Sequence, residues 1–218
     1  MMKKILRSPI TTIALFLIAA ALILTGTIGG VKAAPLLRAD RYYEASMELS
    51  QLGLAITEDG TAVAEGGELF SALKEDFKIG KTYTDPLAVI NTSAYTGSYI
   101  RVTVYKYWTD ENGKDVTLDP NLINLHFVEG GGWTIAENES TEERTVLYYG
   151  SPVAAGDPTT PFADTLTIDG RVSTLISADK TYDYDGVQFH VDVVADGVQE
   201  HNGEAAMTSA WGHTNAVG

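Results

Sequence analysis

Cysteine is missing altogether from the 218 residues, so no disulfide staples the chain and a hydrophobic core must hold it. Positive charge is scarce: 15 Lys and Arg stand against 29 Asp and Glu, a net charge of −14. A surface of that sign repels nucleic acid and anionic membrane, and neither is an expected partner. Two catalytic signatures are also lacking. There is no His-x-x-x-His or His-Glu-x-x-His spacing to hold a hydrolytic zinc ion, and no Gly-x-Ser-x-Gly elbow to present a nucleophile. No internal repeat and no linker long enough to divide the chain are visible.

Apolar runs are rare too, and the one long example is near the start. Lys3, Lys4 and Arg7 precede an apolar stretch over residues 13–24, and the segment closes on Val31-Lys32-Ala33. A basic head, a short apolar middle and small residues at the end are the parts of a secretory signal peptide. The middle is shorter than the roughly 20 apolar residues of a membrane span, and Gly26, Gly29 and Gly30 follow it. The expectation is export with cleavage between Ala33 and Ala34, so that the membrane is met only in transit. Loss of residues 1–33 removes four bases and no acid, leaving 11 bases against 29 acids and a net charge of −18. The expected organisation is a signal peptide over 1–33, an extended segment over 34–47 and one β-domain over 48–218, long enough for a sizeable core.

Alternation of period two dominates that domain. Ile100, Val102 and Val104 alternate with Arg101, Thr103 and Tyr105, and Val187, Phe189, Val191 and Val193 alternate with Gln188, His190 and Asp192. Both read as half-buried strands. The first runs into Asp110-Glu111-Asn112-Gly113-Lys114-Asp115, where Asn-Gly predicts a tight hairpin with positive φ angles. Weaker strands are predicted over 83–91, 123–127, 145–149 and 165–168, each bounded by Gly, Pro, Asp or Asn. Within 45–56 the apolar phase slips from odd to even positions, which predicts a bulge or break near Ser50 and Gln51. Helical spacing of Leu69, Phe70, Leu73 and Phe77 predicts one short helix. A second, over 205–211, is predicted between an Asn202 cap and Gly212. The fold class that follows is mainly β, an antiparallel two-sheet sandwich of jelly-roll type with one or two short helices.

Candidate chemistry is sparse. His126 and His190 fall on the polar faces of strands, His201 and His213 in a loop or at a helix end, and all four read as solvated. The acid pairs Asp183 with Asp185 and Asp110 with Asp115 fit neither a calcium loop nor more than the ordinary chemistry of turns. Tyr42, Tyr43, Tyr105, Tyr107, Trp108, Trp133, Tyr148 and Tyr149 could stack on a sugar, although packing within and between strands is the leading role for most. No catalytic, metal or cofactor residue is assigned, and no cofactor is expected.

The N-terminal segment, with Ser8-Pro9-Ile10-Thr11-Thr12 and Gly26-Thr27-Ile28-Gly29-Gly30, resembles those cut by the SipW-type signal peptidase. The body resembles the TasA and camelysin family of secreted bacterial matrix proteins. The matching pieces are Tyr83-Thr84-Asp85-Pro86-Leu87-Ala88-Val89-Ile90-Asn91-Thr92, Ser98-Tyr99-Ile100-Arg101-Val102, Gly132-Trp133, Tyr148-Tyr149-Gly150, residues 161–168 and residues 198–212. The resemblance implies a jelly-roll domain that assembles outside a Gram-positive bacterium into biofilm-matrix fibres, its partners being itself or related matrix subunits and, during export, the signal peptidase. In such fibres the N-terminal segment of one subunit adds as a strand to the next, which points to Leu36, Leu37, Tyr42, Tyr43, Ala45 and Met47 as assembly residues. Two other readings stay open: a camelysin-type secreted metalloprotease and an extracellular glycan-binding β-sandwich module.

Overall fold

The computed structural model describes the backbone of residues 43–49 and then residues 53–64, 66–73, 77–175 and 183–214, all within one compact unit, 38–218. It is a two-sheet β-sandwich. The strands are β1 (Tyr43–Leu49), β2 (Leu54–Glu58), β3 (Thr61–Ala62), β4 (Thr82–Asn91), β5 (Ser98–Asp110), β6 (Gly113–Asp115), β7 (Ile123–Phe127), β8 (Trp133–Ile135), β9 (Arg144–Tyr149), β10 (Ala163–Ile168) and β11 (Gln188–Gln199). One sheet has the order β1-β11-β5-β9-β8, with β6 on the end of β5; the other has the order β3-β2-β4-β10-β7. Neighbours pair antiparallel except β1, which lies parallel to β11 with Tyr43 opposite Phe189 and Leu49 opposite Ala195.

Alternation decides which side chains meet between the sheets. From the first sheet come Ile100, Val102, Val104 and Trp108 of β5, Phe189, Val191, Val193 and Ala195 of β11, and Leu147 of β9; from the second come Leu54, Ile56, Leu87, Val89, Ile123, Leu125 and Leu166. Burying each large apolar side chain contributes about 1.5–3 kcal/mol, and this core replaces the disulfides the chain lacks. Register is correspondingly strict, because a slip of one residue on β5 would exchange Val102 for Thr103.

Ser50 and Gln51, where a bulge or break is expected, lie outside the described residues. β1 and β2 belong to opposite sheets, joined through Gly53 at φ 69°, where a side chain would crowd the Ser93 backbone nitrogen at 3.1 Å. The β5–β6 hairpin is present, yet only Gly113 takes a positive φ, 113°. Asp110 Oδ1 instead accepts the Asn112 amide at 2.7 Å, which shapes the turn before Gly113.

Both predicted helices are modified. Phe70 has φ 57°, a conformation no right-handed helix contains, so only a 3₁₀ turn, Ser71–Leu73, follows it; residues 74–76 lie outside the described set. Helix α1, Gly203–Trp211, does stop at left-handed Gly212, but Asn202 is itself left-handed and its side chain makes no capping bond. Gly203 is needed there because a Cβ would lie 2.4 Å from the Tyr99 ring.

Candidate functional site

Sheet edges are the first place to look, since no motif announces chemistry. In the first sheet the edges are β1 and β8, in the second β3 and β7. β8 has three residues and β3 two, too short to template another chain, whereas β1 has seven and β7 five. β1 is unusual in its origin. It has no hairpin to its partner; it arrives from the N-terminus, takes the β11 edge in parallel and leaves through the Gly53 turn into the opposite sheet. The expected assembly residues Tyr43, Ala45 and Met47 fall on this strand, in register with Phe189, Val191 and Val193. Leu36, Leu37 and Tyr42 lie outside the described residues, as do the expected cleavage residues Ala33 and Ala34.

The outer face of the same sheet carries a polar network that sequence reasoning missed. Val146 and Tyr148 of β9 and Val198 of β11 form a small apolar cluster with Met207 and Trp211 of α1. Around it Trp211 Nε1 donates to Asp196 Oδ1 at 2.8 Å, and Arg101 Nε donates to Asp196 Oδ2 at 3.0 Å. Tyr148 donates its hydroxyl to Glu139 at 3.0 Å, while His213 Nε2 lies 2.8 Å from the other Glu139 oxygen and 3.1 Å from the Tyr148 hydroxyl. The Thr214 carbonyl at Nδ1 and, against the opposing effect of burial, the Glu139 carboxylate hold the His213 imidazole above its ordinary value. These contacts fasten the end of α1 to the sheet.

Histidine placement differs from expectation at one position. His126 is exposed, with Asp164 at 2.7 Å from Nδ1, and His213 is partly exposed, but His190 is only 7% exposed. Its ring stacks on Tyr107 at 4.8 Å and Nε2 meets the Thr109 hydroxyl at 2.8 Å. The strand alternation did put His190 on the outward face; what it could not reveal is that the Tyr107 ring stacks against the imidazole there.

Aromatic rings mostly pack. Trp108, Trp133 and Tyr148 are buried, with Trp108 donating to the Asp119 carbonyl and Trp133 to the Thr160 carbonyl. Tyr149 packs edge-on against Trp133 at 5.0 Å, leaving Tyr105 as the expected sugar-stacking ring with appreciable exposure among those whose side chains are described. The acids singled out serve turns: Asp115 accepts the amide and hydroxyl of Thr117, as Asp110 does the Asn112 amide. Among the described residues no group of three or more His, Cys, Asp and Glu is arranged around a common point.

Two polar residues in the core phase of β4 were legible but unread. Asn91 is fully buried and organises two loops: its side-chain nitrogen donates to the Thr96 and Val153 carbonyls at 2.8 and 2.9 Å, and its oxygen accepts the Ser93 amide at 3.0 Å. Asp85 follows the same alternation and is 6% exposed beside Glu58. Comparison with known proteins adds no relative: no family model, no curated protein and no solved structure matches the chain. Among the described residues no helix is long and apolar enough to cross a membrane.

Proposed function

We propose that this chain is a secreted structural subunit of a cell-surface or biofilm-matrix fibre, assembling by strand addition, with β1 as the strand that is exchanged. The observation carrying this reading is the parallel pairing of β1 on the β11 edge without a hairpin. A segment paired through a main-chain ladder to a strand distant in sequence can be supplied in the same register by another copy. The resemblance of the mature sequence to secreted matrix proteins supports the same reading, as does the signal-like N-terminus. Cleavage between Ala33 and Ala34 would free the chain end that leads into β1.

The test exploits the absence of cysteine. A chain starting at Ala34 and carrying E48C with V194C places the two substitutions at one rung of the β1–β11 register, at a β11 position outside the core phase and with no other thiol to compete. A short bis-maleimide should give an intramolecular link in dilute monomer and a ladder of covalent multimers once filaments are visible by electron microscopy. Filaments that yield only the intramolecular link would overturn strand exchange. Failure to form filaments at any concentration, alone or with sister subunits, would overturn the fibre reading itself.

A further inference from the structure

β2 and β4 each carry one carboxyl on the face that looks into the sandwich. On β2 the inward positions are Leu54, Ile56 and Glu58, and on β4 they are Tyr83, Asp85, Leu87 and Val89. Glu58 is registered opposite Leu87, which makes Asp85 its diagonal neighbour on the same face, within reach of a longer side chain. The two carboxyls line one cleft, where two negative charges repel and a single proton held between them relieves the repulsion.

Glu58 is also the clamp for the segment that closes this end of the core. Its Oε2 accepts the Phe70 amide and its Oε1 the Ser71 amide, both at 2.8 Å. Between them those bonds hold Phe70 in the left-handed region, where a bulky residue is rarely found. Leu69, Phe70 and Leu73 are thereby pressed fully out of solvent as a plug over the core. The groups facing the pair are acidic as well: Asp59 from the β2–β3 turn and Glu68 from the plug segment line the same cleft, with Thr61 of β3 and Thr84 of β4.

We propose that the Glu58–Asp85 pair is a proton-operated latch: with one proton shared between the carboxyls, Glu58 clamps the 66–73 plug onto the sandwich, and loss of that proton sets two carboxylates against each other and loosens it. Supporting this, burial, the hydrogen bond and charge of Glu58, and the charge of Asp59 push Asp85 up to about 7. Burial would also raise Glu58, but hydrogen bonds from Asp85, Ser71 and Phe70 outweigh it and leave its value lowered. The sign follows from linkage. The closed plug holds a proton that the open one releases near the ordinary carboxyl value, so closure weakens as pH rises from about 4 toward 7 and levels off above.

Amide exchange in the full-length chain tests this directly. After correction for the intrinsic pH dependence of exchange, protection of the Phe70 and Ser71 amides should fall about tenfold per pH unit between pH 5 and 7 and flatten beyond, while Val102 and Val104 in β5 stay constant. D85N donates to Glu58 at every pH and should abolish the slope. A flat profile in the wild type, or an unchanged slope in D85N, would overturn the latch. Should D85N not fold, carbon-detected titration of the wild-type Asp85 carboxyl decides, since a midpoint near 4 would equally overturn it.

Discussion

Replacing Asn91 by alanine should be among the most damaging polar substitutions in this protein. The side chain makes three hydrogen bonds inside a fully buried site, two donated to carbonyls of separate loops and one accepted from the Ser93 amide. Its backbone also joins β4 to the 153–157 loop, donating to the Asp157 carbonyl and accepting from the Gly156 amide. Alanine keeps the backbone bonds and orphans the three side-chain partners. At a net 1 kcal/mol or so per bond the loss is about 3 kcal/mol. For a folded region of this size that lowers the melting temperature by about 6–12 °C. Asn91→Asp separates chemistry from volume: it retains the acceptor for Ser93 but turns lone pairs toward the Thr96 and Val153 carbonyls, so it should be tolerated worse as pH rises and the carboxyl ionises. Urea titrations followed by tryptophan fluorescence would measure both. A cost below about 1 kcal/mol for Asn91→Ala would refute the view that this amide holds the two loops together.

Two further predictions follow from the packing and the helix anchor. Phe162 is fully buried and meets Trp133 edge-on at 5.8 Å, so Phe162→Ala should cost about 3–5 kcal/mol in a thermal or urea melt, with Phe162→Leu costing clearly less. His213 has a raised value in the folded chain, so its contacts with the Thr214 carbonyl and Glu139 stabilise fully below the ordinary imidazole value, and that stabilisation is lost as pH rises through the folded one. His213→Gln should therefore lower the melting temperature more at pH 5.5 than at pH 8.5, and equal effects at the two pH values would refute the pairing.

The parts of this fold that could be read from sequence are those fixed by neighbours in sequence. Ile123 to Phe127 alternate cleanly between Asn121 and Val128, and β7 has the expected limits. The Gly212 stop worked for the same reason, a local demand for a left-handed residue. What stayed hidden depends on distant partners. Nothing in the alternation of residues 43–49 says that their ladder runs parallel to β11. The helix-like spacing of Leu69, Phe70 and Leu73 is satisfied by a plug bent through Phe70, because Glu58 from another strand binds the amides that a helix would have used. Asp85 and Asn91 were the missed signal: polar residues in the inward phase of a strand are costly unless satisfied, and each turns out to organise its surroundings.

The place of β1 also sets an order of events. Among the described strands it is the first to be synthesised, and Phe189, opposite its first residue, belongs to the last. No neighbour in sequence can seat it, so its ladder closes the longest loop in the fold and forms after the other pairings. Until then the β11 edge is a finished template awaiting a strand. If strand addition operates as proposed, time and local concentration would decide which copy arrives: an isolated chain would close on itself, and a crowded one would have rivals for the same rung.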